Sequence, residues 1–153
     1  MICECPKVDL EKWDMREFRF RKKFFLHSKA RLFFHKPMFL YNCMSKLYEN
    51  AKIQGYEKGD FLLQKDGTFG GELLLDIKNP NESDSNLVVV ENAHGFSKVH
   101  IGSLDDIPTS LDFLKDFVMK RGYETKGIYF WYLDCPSCIE DEKLRKTIIF
   151  AFV

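Results

Sequence analysis

A chain of 153 residues with 45% apolar and 15% aromatic side chains can build a proper core and is too apolar for a disordered segment. Lysine plus arginine and aspartate plus glutamate balance at 23 each, so the molecule as a whole is no general binder of polyanions. The early basic run from Arg16 to Lys36, with Phe18, Phe20, Phe24 and Phe25 as stacking rings, could meet nucleic acid. The solvated face of an amphipathic strand is the plainer reading, and nucleic acid is not expected as a partner. No run approaches the roughly 18–20 consecutive apolar residues of a membrane span, and Met1 to Lys7 lacks the basic start and apolar core of a signal peptide; a cytoplasmic protein with mostly reduced cysteines is the expectation.

Residues 1–14 carry no clear period and read as a leader or docked edge segment. From Met15, Phe18 and Phe20 alternate with Arg19 and Arg21, the period of two that marks a half-buried strand. Phe24 to Phe34 is also strand-prone and extends it, with a bend near His27-Ser28. Pro37 is placed to open a helix, where its missing N–H costs nothing. Leu40, Met44, Leu47 and Ala51 then fall on one helical face, and Gly55 ends it. Phe61 to Gln64 and Gly71 to Ile77 flank Lys65-Asp66-Gly67-Thr68, a hairpin signal. The polar run from Asn79 to Asn86 reads as a hinge.

Leu87 to Val90 and Phe96 to Ile101 are strand-like. Pro108 opens a second helix with the stripe Ile107, Leu111, Leu114 and Val118, and Gly122 closes it. Two strands finish the chain, Gly127 to Cys135 and Lys146 to Val153. Gln54-Gly55-Tyr56-Glu57 after the first helix returns as Arg121-Gly122-Tyr123-Glu124 after the second. Both copies precede a strand, so the expected order in each half is strand, helix, strand, strand.

The junction His100-Ile101-Gly102-Ser103-Leu104-Asp105-Asp106-Ile107, followed by Gly122, Gly127, Tyr132 and Pro136, resembles the GyrI-like small-molecule-binding domain. That domain also serves as the effector-binding half of some AraC- and MerR-type regulators. The first half is similar through Pro37, its helix, Gly55-Tyr56 and the Phe61–Ile77 hairpin. The resemblance implies an α+β fold with two pseudo-repeated βαββ units, one curved antiparallel sheet and two main helices. It covers residues 15–153 as a single domain in its stand-alone form, with halves 15–78 and 87–153. It also implies a groove between the halves, lined by aromatic and acidic groups, for flat and often cationic ligands. Where the family often carries a Glu two positions before the tyrosine of the penultimate strand, this chain has Phe130.

Ile128-Tyr129-Phe130-Trp131-Tyr132-Leu133 is the densest aromatic run, and alternation sends Phe130 and Tyr132 to one face and Tyr129 and Trp131 to the other. Rings stack on planar ligands and attract cations through their faces; the competing reading is a strand buried on both faces. Glu72 and Glu91 lie in strand-like segments, a costly place for a carboxylate unless it meets water, a partner or a ligand. Exposure at a sheet edge is the plainer alternative. His100 completes the ligand-binding candidates, Phe130, Trp131, Tyr132, Glu72, Glu91 and His100, although a lone strand histidine is more often a hydrogen-bonded core residue.

Cys3-Glu4-Cys5 and Cys135-Pro136-Ser137-Cys138 could together offer Cys3, Cys5, Cys135 and Cys138 to a zinc, but free cysteines are the default. No metal or other cofactor is expected. GxxxxGK[ST], GxGxxG and GxSxG motifs are absent, so nucleotide cofactors and the usual serine-hydrolase machinery have no sequence support. The expected function is sequestration or sensing of a small aromatic compound, cationic ones included. A hydrolase of a reactive small molecule using Glu72 with Tyr132 and a protein–protein adaptor with a filled groove are the rivals. A transcriptional or other protein partner is consistent with either binding reading.

Overall fold

The computed structural model describes residues 6–33, 36–38, 40–65, 71–134 and 141–153. The fold is α+β, with two long helices and antiparallel strands. It divides into two compact units, Phe20–Ala93 and Met1–Arg19 with His94–Val153. The chain passes from one unit to the other within β1 (Arg16–Phe33) and again within β5 (Leu87–Ile101).

In the unit Phe20–Ala93, β1 is followed by β2 (Lys36–Met38), α1 (Leu40–Ile53), β3 (Lys58–Lys65) and β4 (Gly71–Ile77). Antiparallel pairing sets the order β2, β1, β4, β3. Alternation places Phe24 and Leu26 of β1 and Leu73, Leu75 and Ile77 of β4 on the face where Leu47 and Ala51 of α1 pack. Each fully buried leucine there contributes about 1.5–3 kcal/mol. The expected helix stripe holds at Met44, Leu47 and Ala51. Pro37 does not open the helix: it sits in β2 opposite Leu32, and the helix begins at Leu40. Proline tolerates a short edge strand because its ring needs only φ near −65° and its missing N–H can face away from the ladder. The residues expected to turn the β3–β4 hairpin, 66–68, lie outside the described residues, while the strands on either side pair antiparallel as a hairpin requires.

On the other face of β4, Asp76 is buried and meets Lys23 Nζ at 3.2 Å and the Asp60 N–H at 3.0 Å. Gly59 makes room for it, since a Cβ there would lie 2.5 Å from the carboxylate. The loop from Asn79 to Asn86 belongs to this same unit and is tied down by the Tyr56 hydroxyl, which donates to Asp84 at 2.6 Å.

In the other unit, β5 leads through a short 3-10 turn (Leu104–Asp106) into α2 (Ile107–Lys120), then β6 (Gly127–Tyr132) and β7 (Lys146–Phe152), with antiparallel order β6, β7, β5. All four residues of the expected stripe, Ile107, Leu111, Leu114 and Val118, are buried against Phe96, Ile128, Phe130, Ile149 and Ala151. The sheet's opposite face is covered by the N-terminal segment. Trp13 stacks edge-on to Phe150 at 5.4 Å, and Phe18 to Phe150 and Phe152 at 5.3 and 5.2 Å.

Both helices end in the same way. Tyr56 N–H reaches Ala51 O and Gly55 N–H reaches Lys52 O; Tyr123 N–H reaches Val118 O and Gly122 N–H reaches Met119 O. Gly55 and Gly122 adopt φ of 77° and 84°, the left-handed stop that this double hydrogen bond needs. The Gly-Tyr pairs are therefore helix terminators.

Candidate functional site

Residues that face each other across paired strands share a face of the sheet. His100 on β5 pairs with Thr147 on β7, which pairs with Tyr132 on β6. These three form a polar row on the face that α2 covers, at the end where α2 begins. Two candidates from the sequence, His100 and Tyr132, are thereby brought to either side of one threonine. Thr147 is 0% exposed, and its hydroxyl has no hydrogen-bond partner among the described residues.

The His100 imidazole, 5% exposed, is held at both nitrogens. Nε2 lies 2.9 Å from the Ser103 carbonyl and Nδ1 lies 2.7 Å from Ser110 Oγ. A carbonyl can only accept, so in the neutral ring Nε2 carries the proton and Nδ1 receives the Ser110 hydroxyl proton. The turn that aims the carbonyl depends on Gly102, buried with φ 145°, a conformation open to glycine. Ser103 stabilises the next step by accepting the Asp105 N–H at 3.2 Å.

His100 and Ser110 open on a concavity of about 430 Å³, also lined by Lys98, Val99, Ile101, Asp106 and Thr109. Lys98 Nζ lies 5.0 Å from the centre of the Phe113 ring, which is 58% exposed. The sequence offered one signal for Ser110. It stands three residues after Ile107 and four before Leu114, inside the apolar stripe, where a hydroxyl needs a partner.

The remaining candidates are dispersed. Phe130 is 0% exposed within the core beneath α2, with Tyr132 half-buried beside it at 6.1 Å between ring centres. Trp131 is buried on the opposite face of β6, the face that also carries Tyr129. Glu72 is half-buried on β4, on the face of Leu74 as alternation predicted, with Lys29 across from it in register. Glu91 is exposed and paired with Lys22 at 3.3 Å. Glu72 and Glu91 belong to one unit, and His100, Phe130, Trp131 and Tyr132 to the other. Cys3, Cys5, Cys135 and Cys138 lie outside the described residues; among the described ones no group of three or more His, Cys, Asp or Glu is arranged to hold a metal. Also among the described residues, no helix is long and apolar enough to cross a membrane.

A family model described as "Bacterial hydrolase" matches residues 1–152. The chain belongs to this bacterial hydrolase family. No curated protein sequence matches it. Among solved structures, the EcmrR C-terminal domain is similar with a TM-score of 0.66 at 13% identity, over 92% of this chain and 96% of that one. Against the longer EcmrR chain solved on DNA, the TM-score is 0.61 at 13% identity over 90% of this chain, which spans only 56% of that chain's length. A hydrolase encoded by lin2189 from Listeria innocua is similar with a TM-score of 0.57 at 14% identity, over 90% and 91% of the two chains. SAV2435 bound to tetraphenylphosphonium gives 0.52 at 10% identity, over 92% and 93%. At these identities the likeness is one of fold, and the fold is the GyrI-like one that the His100–Ile107 junction resembles.

Proposed function

We propose that the protein binds a small aromatic compound, lipophilic cations included, and acts in the cytoplasm by sequestering or sensing it. The observation that carries this reading is a protein of the same fold solved with tetraphenylphosphonium bound. Two side chains of this chain suit such a ligand. Glu72 is a half-buried carboxylate beside Leu74, and the interactions described give it no ion pair or hydrogen bond. Tyr132 presents a half-buried ring beside Phe130, with its hydroxyl buried. Phe130 backs the Tyr132 ring from the core, and this reading gives Trp131, Glu91 and His100 no direct contact with the ligand.

The test is a thermal-shift titration with tetraphenylphosphonium, repeated with a neutral triaryl analogue. A ligand at about 100 times its Kd stabilises by about 2.7 kcal/mol. Tyr132→Ala should weaken both probes, and Glu72→Gln only the cation, each by roughly 2- to 30-fold on a contact of about 0.5–2 kcal/mol. No stabilisation by any planar or bulky aromatic probe would reject the reading. Unchanged affinity in both variants would reject the residues assigned to it.

The family name and the Listeria innocua hydrolase favour a second reading, hydrolysis of a reactive small molecule, for which the candidate groups are Glu72 and Tyr132, one in each unit. Its signature is turnover of the bound compound, abolished by Glu72→Gln while binding of a neutral probe persists.

A further inference from the structure

We infer that Ser110 and His100 form a nucleophile–base pair that accepts an acyl group from small aryl esters. This activity is separate from the binding reading above and does not depend on Glu72 or Tyr132. A serine hydroxyl becomes a nucleophile when a base takes its proton and a third group fixes that base. All three parts are in place. Ser110 Oγ lies 2.7 Å from His100 Nδ1, and the Ser103 carbonyl, 2.9 Å from Nε2, holds the proton on the far nitrogen. The ring is pinned by burial, so it cannot leave this geometry without breaking both contacts.

Access and charge fit the same chemistry. Ser110 and His100 line the concavity of about 430 Å³, within the usual range for small-molecule sites. Thr109 and Lys98 line it too and offer a hydroxyl and an ammonium to a developing oxyanion, while the Asp106 carboxylate in the same lining opposes part of that field. The positive end of the α2 dipole, where Ser110 sits in the first turn, adds to that field. The exposed Phe113 ring does not line the concavity but lies 5.0 Å from Lys98 Nζ, which does, and offers the aryl group of the ester an apolar surface beside it.

In the acylation step Ser110 Oγ bonds to the ester carbonyl carbon while its proton moves to His100 Nδ1. The bond from that carbon to the aryl oxygen breaks, and the departing aryloxide takes the proton from Nδ1. Water then attacks the acyl-serine, gives its proton to Nδ1, and the carboxylic acid leaves as Ser110 Oγ recovers a proton. One ester and one water give one phenol and one acid.

The experiment uses p-nitrophenyl acetate with the full chain. Wild-type protein should release one equivalent of nitrophenolate in a burst, and intact-mass measurement should show one acetyl group, mapped to Ser110. Ser110→Ala should abolish the burst and lower turnover by about 100-fold or more. It should leave tetraphenylphosphonium binding unchanged, which separates this proposal from the binding one. Lys98→Met should lower the acylation rate and keep the site of labelling. Labelling of wild-type protein by an aryl sulfonyl fluoride needs no variant, and should give one adduct on Ser110. Equal rates in wild type and Ser110→Ala, or adducts that form only elsewhere, would overturn the proposal.

Discussion

Gly95→Ala tests how closely the N-terminal segment is seated on its sheet. A Cβ at Gly95 would collide with the backbone oxygen of Ala151 on β7 and lie 2.6 Å from Phe18 Cζ. Phe18 is itself wedged edge-on against Phe150 and Phe152, so it has no free direction in which to retreat. Overfilling such a contact costs about 1–3 kcal/mol. The lower entropy of unfolded alanine returns about 0.4–1 kcal/mol. Because one of the clashing atoms is backbone and cannot rotate away, the net loss is expected near 2 kcal/mol. For a chain of this length that is a fall in Tm of roughly 4–8 °C. Denaturant unfolding of Gly95→Ala, Phe18→Leu and the double variant separates the two clashes. Phe18→Leu should remove part of the alanine's cost and leave the Ala151 part. A Gly95→Ala protein as stable as wild type would show that the close approach of Phe18 and β7 is not present in solution.

Gly122→Ala should cost about 1 kcal/mol, the price of a left-handed residue with a side chain. Nothing lies within 4 Å of either added Cβ, so Gly55→Ala should cost the same within a few tenths; unequal losses in chemical denaturation would refute the shared terminator. The Tyr56–Asp84 contact predicts two separate pH effects. The hydrogen bond to Asp84, then burial and the Asp84 charge, raise Tyr56 above its ordinary 10.0, so its contribution is full below pH 10 and lost as pH rises through the raised value. The same bond, then the Asn86 N–H, lowers Asp84 below its ordinary 3.8, so its contribution is full above that pH and lost as pH falls through the lowered value. Tyr56→Phe should flatten the alkaline limb of the stability profile and shrink the acid one, without altering the slope between pH 5 and 9. A profile unchanged at both ends would mean that the loop is held by other contacts.

The elements that could be read from the chain are those whose signal is local. The α2 stripe is one: Ile107, Leu111, Leu114 and Val118 recur at the helical period, and all four are buried. The glycine stops are another, because a positive φ after a helix is a property of a few adjacent residues. A docked edge segment was one of the two readings open for residues 1–14, but the surface it docks on was not legible. Trp13 is fixed by its ring on Phe150 and by its carbonyl accepting the Ser97 hydroxyl at 2.6 Å, contacts made across more than eighty positions of sequence. No period within the segment announces such a partner. Pro37 misled for a related reason: a proline suits the start of a helix or a short edge strand, and only the pairing of β2 with β1 decides between them.

Alternation sorted side chains by face but could not say what covers each face. It placed Phe130 and Tyr132 together, which holds, yet the two differ in what they can reach. Phe130 lies in register with Ile149, where the α2 stripe is continuous, and is sealed. Tyr132 lies one pleat further, in the row with Thr147 and His100, where the apolar stripe gives way to Ser110. A helix laid on a sheet must begin somewhere, and its first turn presents polar groups to whatever strand ends lie below. Here those ends carry an imidazole, a hydroxyl and a phenol. Polar side chains gather at that end because the core stops there, and the same stop leaves the concavity through which a ligand can reach His100 and Ser110.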